Sequence, residues 1–128
     1  MEITEEKKLE VWNKGIVVEN YDGSKYRHDA CGAWIRYADY GDRESPFGWE
    51  IDHIYPAALL AKRGFAQEKI DDIINLRPLN WRNNVSKAHS YPSYLAAVKA
   101  VDDRNKLIET PLDINSSVQS DIKEFYNL

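Results

Sequence analysis

The stretch FGWEIDHI, residues 47–54, alternates apolar and polar side chains after a loop rich in turn-forming residues, and it ends just before Pro56. An alternation with a period of two is typical of a β-strand, and a proline cannot donate to a strand ladder, so the pattern predicts a short strand that stops here. A second extended stretch, NLRPL at residues 75–79, is broken by Pro78 and suits an edge strand or a strand end. We therefore expect a hairpin whose two strands are joined by a long loop.

A short helix is predicted directly after this second stretch, over NWRNNVSK at residues 80–87. Its two adjacent asparagines are poor helix formers, which indicates that their side chains have another purpose. A first helix is predicted over about residues 5–14, because Thr4 is a suitable N-cap and acidic residues follow it. Apolar residues also recur at helical spacing over residues 94–101 and 118–125, the latter after Ser116 and Ser117 as cap candidates. These patterns predict an α+β fold with flanking helices.

The composition suits one folded domain over residues 1–128, with the motif core at about residues 48–89. The chain is 43% hydrophobic and 30% charged, which is enough apolar material to offset the entropy of ordering. No apolar run approaches the roughly 20 residues of a membrane-spanning helix, and the first residues lack a basic region followed by an apolar stretch. We expect a soluble, cytoplasmic protein that is not secreted and has no membrane partner.

The charge of the chain is unevenly distributed. A net charge of −4 argues against a protein that binds phosphates over its whole surface. Residues 77–99, however, contain Arg77, Arg82, Lys87 and Lys99 and no Asp or Glu. This stretch predicts a locally basic face beside the hairpin, with Arg77, Arg82 and Lys87 as candidates to contact nucleic acid; an ordinary solvated charged face is the alternative.

Asp52 and His53 are the residues of the hairpin that indicate chemistry. The pair joins a hard oxygen ligand to the one side chain that is a neutral base near physiological pH. Phosphodiester hydrolysis uses both, since a metal stabilises the leaving oxygen while a base removes a proton from the attacking water. Successive side chains of a regular strand point to opposite faces, so the pair converges on one phosphate only if the backbone curls there.

Three polar residues after the long loop complete this constellation. Asn84 offers an amide oxygen that suits Mg²⁺, and Lys87 lies three residues further along the same predicted helix face. The spacing to Lys87 favours Asn84 over Asn83 as the ligand, and the neighbouring Asn83 stays open as the alternative. Asn75 is suited to bridging backbone groups across the loop and to holding His53 in orientation.

These stretches together resemble a known family. The segments around Asp52-His53, around Asn75 and from Asn83 to Lys87 are similar in order and spacing to the HNH endonuclease motif. They are most similar to the variant with asparagine in place of the last histidine, which includes the HNH domains of CRISPR effector nucleases. The resemblance covers about forty residues and implies a ββα-metal core, in which a two-stranded hairpin and a short helix enclose one divalent ion.

The resemblance also implies the role of each residue. Asp52 and Asn84 would hold one ion, Mg²⁺ or else Mn²⁺, with His53 as the general base and Asn75 as the structural asparagine. The implied activity is endonucleolytic hydrolysis of DNA, expected to be double-stranded, with 5′-phosphate and 3′-hydroxyl products. Many relatives carry paired cysteines for a structural zinc where this chain has the single Cys31, so no structural zinc is expected.

Several alternatives remain open at this point. The acidic total charge also suits a catalytically inactive module that binds nucleic acid or a partner protein on an HNH scaffold, and a purely structural α+β domain is a third reading. The sequence does not distinguish DNA from RNA as the substrate. It also leaves open whether the chain forms a homodimer or part of a larger nuclease assembly. His89 is either an additional metal ligand or an exposed side chain, and Cys31 suits a small buried hydrophobe.

Overall fold

The computed structural model describes residues 1–128 and has an α+β architecture of three separate two-stranded antiparallel sheets and five short α-helices. None of these helices has the length and the apolar character that crossing a membrane would need. The elements follow in the order α1 (Glu5–Trp12), β1 (Tyr26–His28), β2 (Trp34–Arg36), β3 (Trp49–His53), α2 (Ala57–Lys62), α3 (Gln67–Ile70), β4 (Leu76–Asn80), α4 (Trp81–Lys87), β5 (Ser93–Val101), β6 (Arg104–Asp113) and α5 (Ser116–Tyr126).

The predicted hairpin consists of β3 and β4, which pair antiparallel with Asp52 opposite Arg77 and His53 opposite Leu76. The long connection between them contains α2 and α3. Helix α4 begins directly after β4 because the Asn80 side chain accepts a hydrogen bond from a backbone N–H of the first helical turn. The two predicted extended segments and the short helix that follows them are therefore confirmed as elements.

The prediction of a helix over residues 94–101 is wrong, because this segment is strand β5 and pairs with β6. Tyr94, Ala96 and Val98 are buried, and they alternate with more exposed neighbours. A spacing of four residues between Tyr94 and Val98 fits both a helix and a strand, and pairing with β6 decides in favour of the strand. The other two predicted helices are present as α1 and α5, although the N-cap of α5 is Asn115, one residue before Ser116.

Two groups of buried side chains hold the hairpin from opposite sides. Trp49 and Leu76 pack with three residues of α1 and β2 in the smaller group, where the rings of Trp12 and Trp49 lie 5.3 Å apart. Leu79 belongs to the larger group, together with residues of α2, β5 and α5. Burial of each large apolar side chain contributes about 1.5–3 kcal/mol, so both groups fix the position of β3 and β4.

Asp29 ties the loop between β1 and β2 to the hairpin and to α4. Its carboxylate is fully buried and accepts backbone N–H bonds from Cys31, Ala33 and Asn80 at 2.8–2.9 Å, and an amide N–H bond from Asn83 at 3.1 Å. Burial raises the pKa of Asp29, and these four hydrogen bonds partly offset that effect. Cys31 is buried beside this loop, as predicted.

Candidate functional site

A cleft of about 310 Å³ opens where β3 ends and α4 faces it. Its walls bring together three residues singled out from the sequence, Asp52, His53 and Asn84, and also the exposed His89. The complete lining is Arg43, Ile51, Asp52, His53, Pro56, Ala57, Ala58, Asn84, Val85, Ala88 and His89. Asp52 and His53 thus reach one cleft although they are adjacent in a strand, because β3 ends at His53 and the chain turns away before Pro56.

Asp52 is buried and is held by two cations. Arg77 Nε donates to Asp52 Oδ2 at 2.9 Å, and Lys87 Nζ lies 3.3 Å from Asp52 Oδ1. Lys87 also donates to the carbonyl oxygen of His53 at 3.2 Å. These contacts fix the carboxylate orientation and also the backbone that carries His53.

Arg77 and Lys87 were expected to contact nucleic acid, and their burial gives them a different role. Arg77 is 8% exposed and Lys87 is not exposed at all, so in this conformation neither side chain reaches a phosphate on the surface. Burial lowers the pKa of Lys87, and the neighbouring Asp52 carboxylate opposes that shift. Of the three basic candidates only Arg82 is exposed, and its guanidinium lies 4.8 Å from the Trp81 ring centroid.

His53 is oriented by Asp71, a residue that the sequence did not indicate. Its Nε2 atom lies 2.7 Å from Asp71 Oδ1, while Gln67 donates to Asp71 Oδ2 at 2.9 Å. Burial raises the pKa of Asp71, but the hydrogen bonds from His53 and Gln67 more than offset it, so the pKa lies below its ordinary value. An ionised carboxylate only accepts hydrogen bonds, so Nε2 carries the hydrogen and Nδ1 of a neutral ring keeps its lone pair.

The two adjacent asparagines of α4 have different roles. Asn83 is fully buried; its Nδ2 donates to Asp29 and to the Val98 carbonyl, and its Oδ1 accepts from the N–H groups of Ala97 and Val98. All its hydrogen-bonding capacity is therefore used within the core. Asn84 lines the cleft, and its Oδ1 makes no hydrogen bond. The residue of the pair that has a free oxygen in the cleft is Asn84.

Asn75 bridges the backbone across the long connection, as predicted. Its side chain is fully buried, accepts from the N–H of Tyr55 at 2.7 Å and donates to the carbonyl groups of Tyr55 at 3.1 Å and Ile70 at 3.3 Å. The backbone carbonyl of Asn75 accepts from the N–H of Ile54. The side-chain amide thus fixes Tyr55, and the backbone of the same residue fixes Ile54.

Arg43 and Glu50 extend the cleft and were also missed. Glu50 Oε1 accepts from Asn84 Nδ2 at 2.9 Å, and Arg43 donates to both Glu50 oxygens at 2.7 and 2.9 Å. Glu50 thus orients Asn84 so that its oxygen stays free, and strand alternation with Asp52 could have indicated it. Arg43 lies on a loop that crosses the start of β3, where a Cβ at Gly48 would lie 1.8 Å from the Asp42 carbonyl oxygen. Only this close crossing, which needs the glycine, brings Arg43 to the cleft.

The donor set in the cleft fits a hydrated Mg²⁺ or Mn²⁺ ion. An ionised carboxylate has about four lone-pair sites, so each Asp52 oxygen retains one after its contact with Arg77 or Lys87. This carboxylate and the free Asn84 oxygen are hard ligands, and Mg²⁺ is commonly held by one or two such groups while it keeps several waters. No group of three or more His, Cys, Asp and Glu side chains is arranged to enclose a metal. The two cations beside Asp52 repel a divalent ion, so its affinity is expected to be low.

The cleft therefore unites a base, an oriented carboxylate and an oriented amide oxygen. His89 is exposed at the same cleft and makes no hydrogen bond there. No protein-family model matches the chain, and neither a curated protein nor a solved structure matches it.

Proposed function

We propose that the protein is a metal-dependent endonuclease of the HNH type that hydrolyses phosphodiester bonds of DNA. The observation that carries the proposal is the convergence of Asp52, His53 and Asn84 on one cleft, on a hairpin followed by a short helix. This convergence supports the ββα-metal architecture implied by the residues. Asp52 and Asn84 are 32 residues apart in the sequence, and they line the same cleft. A motif that matched only by coincidence would not need to bring its residues together in this way.

His53 is the residue that we assign to proton removal. Its Nε2–H bond to Asp71 fixes the ring and leaves Nδ1 to accept a proton from the attacking water. Asp71 also stabilises the imidazolium that results, as the buried aspartate of a hydrolase triad does. Asp71 and Asn75 are positioning residues, since both act through the orientation of His53 and its backbone.

Asp52 and Asn84 are the residues that would hold the divalent ion. When bound, Mg²⁺ or Mn²⁺ withdraws charge from the phosphate and stabilises the leaving oxygen. Arg77 and Lys87 keep the Asp52 carboxylate in one orientation, while Glu50 does the same for the Asn84 amide. Pre-orientation of both ligands lowers the entropy that the site loses on binding.

DNA contacts are assigned to Arg43, which lines the cleft, and to the exposed Arg82 of α4, which lies outside its lining. Arg43 lines the cleft with a side chain that is 57% exposed, and Arg82 lies on α4 with its guanidinium over Trp81. Guanidinium groups bind phosphates in a bidentate manner, and two of them suit the phosphates on either side of a scissile bond. This local basic face offsets the acidic total charge.

One observation favours the second function, a module that binds nucleic acid or a partner without cleaving it. Both Asp52 oxygens are already paired with cations, so the carboxylate is neutralised without a metal. Because Arg77 and Lys87 already neutralise the Asp52 carboxylate, binding of Mg²⁺ to it is less favourable. The two functions differ in one measurable respect, namely metal-dependent cleavage.

The experiment is nicking of supercoiled plasmid by the purified chain in Mg²⁺, in Mn²⁺ and in EDTA. The set comprises wild type, H53A and N84A, purified in parallel so that a contaminating nuclease would appear in all preparations. We expect H53A to lower the rate by about 10²–10⁴-fold, the range for loss of a general base, with an unchanged circular dichroism spectrum. Cleavage at the wild-type rate in H53A would exclude the assignment of His53.

A second comparison separates cleavage from binding. R82A should weaken plasmid binding and reduce its salt dependence, whereas R104A, an exposed arginine on β6, should leave both unchanged. Binding that depends on Arg82 together with no cleavage in either metal would establish the non-catalytic module instead.

A further inference from the structure

A second, larger cavity of about 710 Å³ is separate from the cleft and shares none of its lining residues. It is lined by apolar side chains from six parts of the chain, among them Ile16, Ile54, Ile73, Ile114 and Val118. Its volume falls within the range of roughly 300–1,000 Å³ that small-molecule pockets occupy. Nothing in the proposed nuclease chemistry uses this cavity.

Two cations belong to the cavity wall, Lys14 and Arg77. Lys14 is an exposed residue whose ammonium group donates to the carbonyl oxygens of Ile73 and Leu76, which leaves one N–H free. Burial lowers the pKa of Lys14, and the positive charge of Arg77 lowers it further. The wall therefore holds two like charges close enough to disfavour each other, which an anion would relieve.

Arg77 has donors to spare at this position. Its guanidinium makes one hydrogen bond, from Nε to Asp52, although carboxylates usually pair with arginine through two. The Nη2 atom is buried without any partner, and the guanidinium carbon lies 5.3 Å from the Tyr94 ring centroid. A buried donor without a partner is costly, so a small movement toward an acceptor in the cavity would be favourable.

Acidic residues limit which anion fits. Asp113 and Asp121 also line the cavity and are exposed, and Ser93 donates to Asp113. Their negative charges repel a second anionic group, whereas Lys14 and Arg77 attract one at their own part of the wall. The wall thus selects a single anionic group joined to an apolar body.

We propose that this cavity is a binding site for a small amphipathic monoanion, whose sulfonate or carboxylate group contacts Lys14 and Arg77 while its apolar body packs among the isoleucines. Binding at this site requires no metal and is therefore independent of the proposed nuclease activity. Arg77 is nevertheless shared, since it holds Asp52 through Nε.

The test uses two fluorescent probes with the same ring system. 8-Anilinonaphthalene-1-sulfonate carries one sulfonate, and N-phenyl-1-naphthylamine lacks it. Titration of each probe into the full chain should give at least about tenfold tighter binding of the sulfonate, the difference expected from one well-formed charged contact. Equal affinities for the two probes, or no binding of the sulfonate, would overturn the proposal.

Variants locate the site. K14Q keeps donors for the two carbonyl groups but removes the charge, so it should weaken sulfonate binding several-fold and leave the neutral probe unchanged, while K14R should restore it. V118W fills the cavity and should weaken both probes, whereas K106M, a change on exposed β6, should affect neither. Urea midpoints confirm that each variant is folded. Wild-type sulfonate affinity in both K14Q and V118W would show that the probe binds elsewhere and would refute the site.

Discussion

Asn75 offers the most direct quantitative test of how the site is built. Its fully buried amide makes three hydrogen bonds across the connection between β3 and β4. In N75A the N–H and the carbonyl of Tyr55 both lose their side-chain partner. The Ile70 carbonyl keeps a longer contact of 3.4 Å from the Tyr126 hydroxyl. Two backbone groups are therefore left without partners, rather than three.

The expected loss follows from these two groups. An unsatisfied buried polar group costs about 1–3 kcal/mol, and Tyr55 is only partly buried, so N75A should lower the free energy of unfolding by about 2–5 kcal/mol. With a urea m-value of about 1–3 kcal/mol/M, the midpoint should fall by roughly 1–3 M. Urea denaturation followed by tryptophan fluorescence measures this shift, and the m-value should stay unchanged.

N75D tests the amide N–H groups separately. The introduced carboxylate keeps an acceptor for the Tyr55 N–H but places a charged oxygen against two carbonyl groups, which raises its folded pKa above the unfolded value. Because its pKa is raised in the folded state, the carboxyl destabilises the fold when it is ionised. The loss in free energy of unfolding relative to wild type should therefore shrink as pH falls from about 7 to about 5. A penalty that is equal at both pH values, or an N75A loss below about 1 kcal/mol, would contradict the proposed hydrogen-bond pattern.

Three further predictions concern other residues. D29N should destabilise the fold by about 2–6 kcal/mol in urea, because its amide nitrogen would face two buried N–H donors. N83A should also be strongly destabilised, whereas N84A should keep its urea midpoint. Mn²⁺ is expected to raise the melting temperature of wild type but not of N84A, and the opposite result for the two variants would exchange the roles of the two asparagines. Folding lowers the pKa of Asp71 below 3.8, so its contribution is complete above the unfolded pKa and is lost as pH falls through the folded value. D71N should therefore lose less stability than wild type between about pH 5 and pH 2, as acid titration of the circular dichroism signal can measure.

Local sequence patterns predicted the elements that depend on local preferences. Thr4 caps α1, Pro56 lies just beyond β3, and Asn75 bridges the long connection as its amide chemistry indicated. Residues 94–101 were mistaken for a helix because Tyr94 and Val98 are four apart, a spacing that both periods share. These residues form a strand because they pair with β6, and this pairing is a non-local interaction that the local pattern does not contain.

The polar groups available at the site follow from the amino-acid sequence, since it contains the Asp52-His53 pair and the asparagines of α4. Which asparagine faces the cleft depends on packing, because Asn83 and Asn84 differ solely in the direction of their side chains from α4. Packing also turned Lys87 inward and brought Asp71 to His53 across 18 residues of chain. Periodicity specifies which face of an element is apolar, but ion pairs and hydrogen bonds between distant residues form only after packing has fixed their distances.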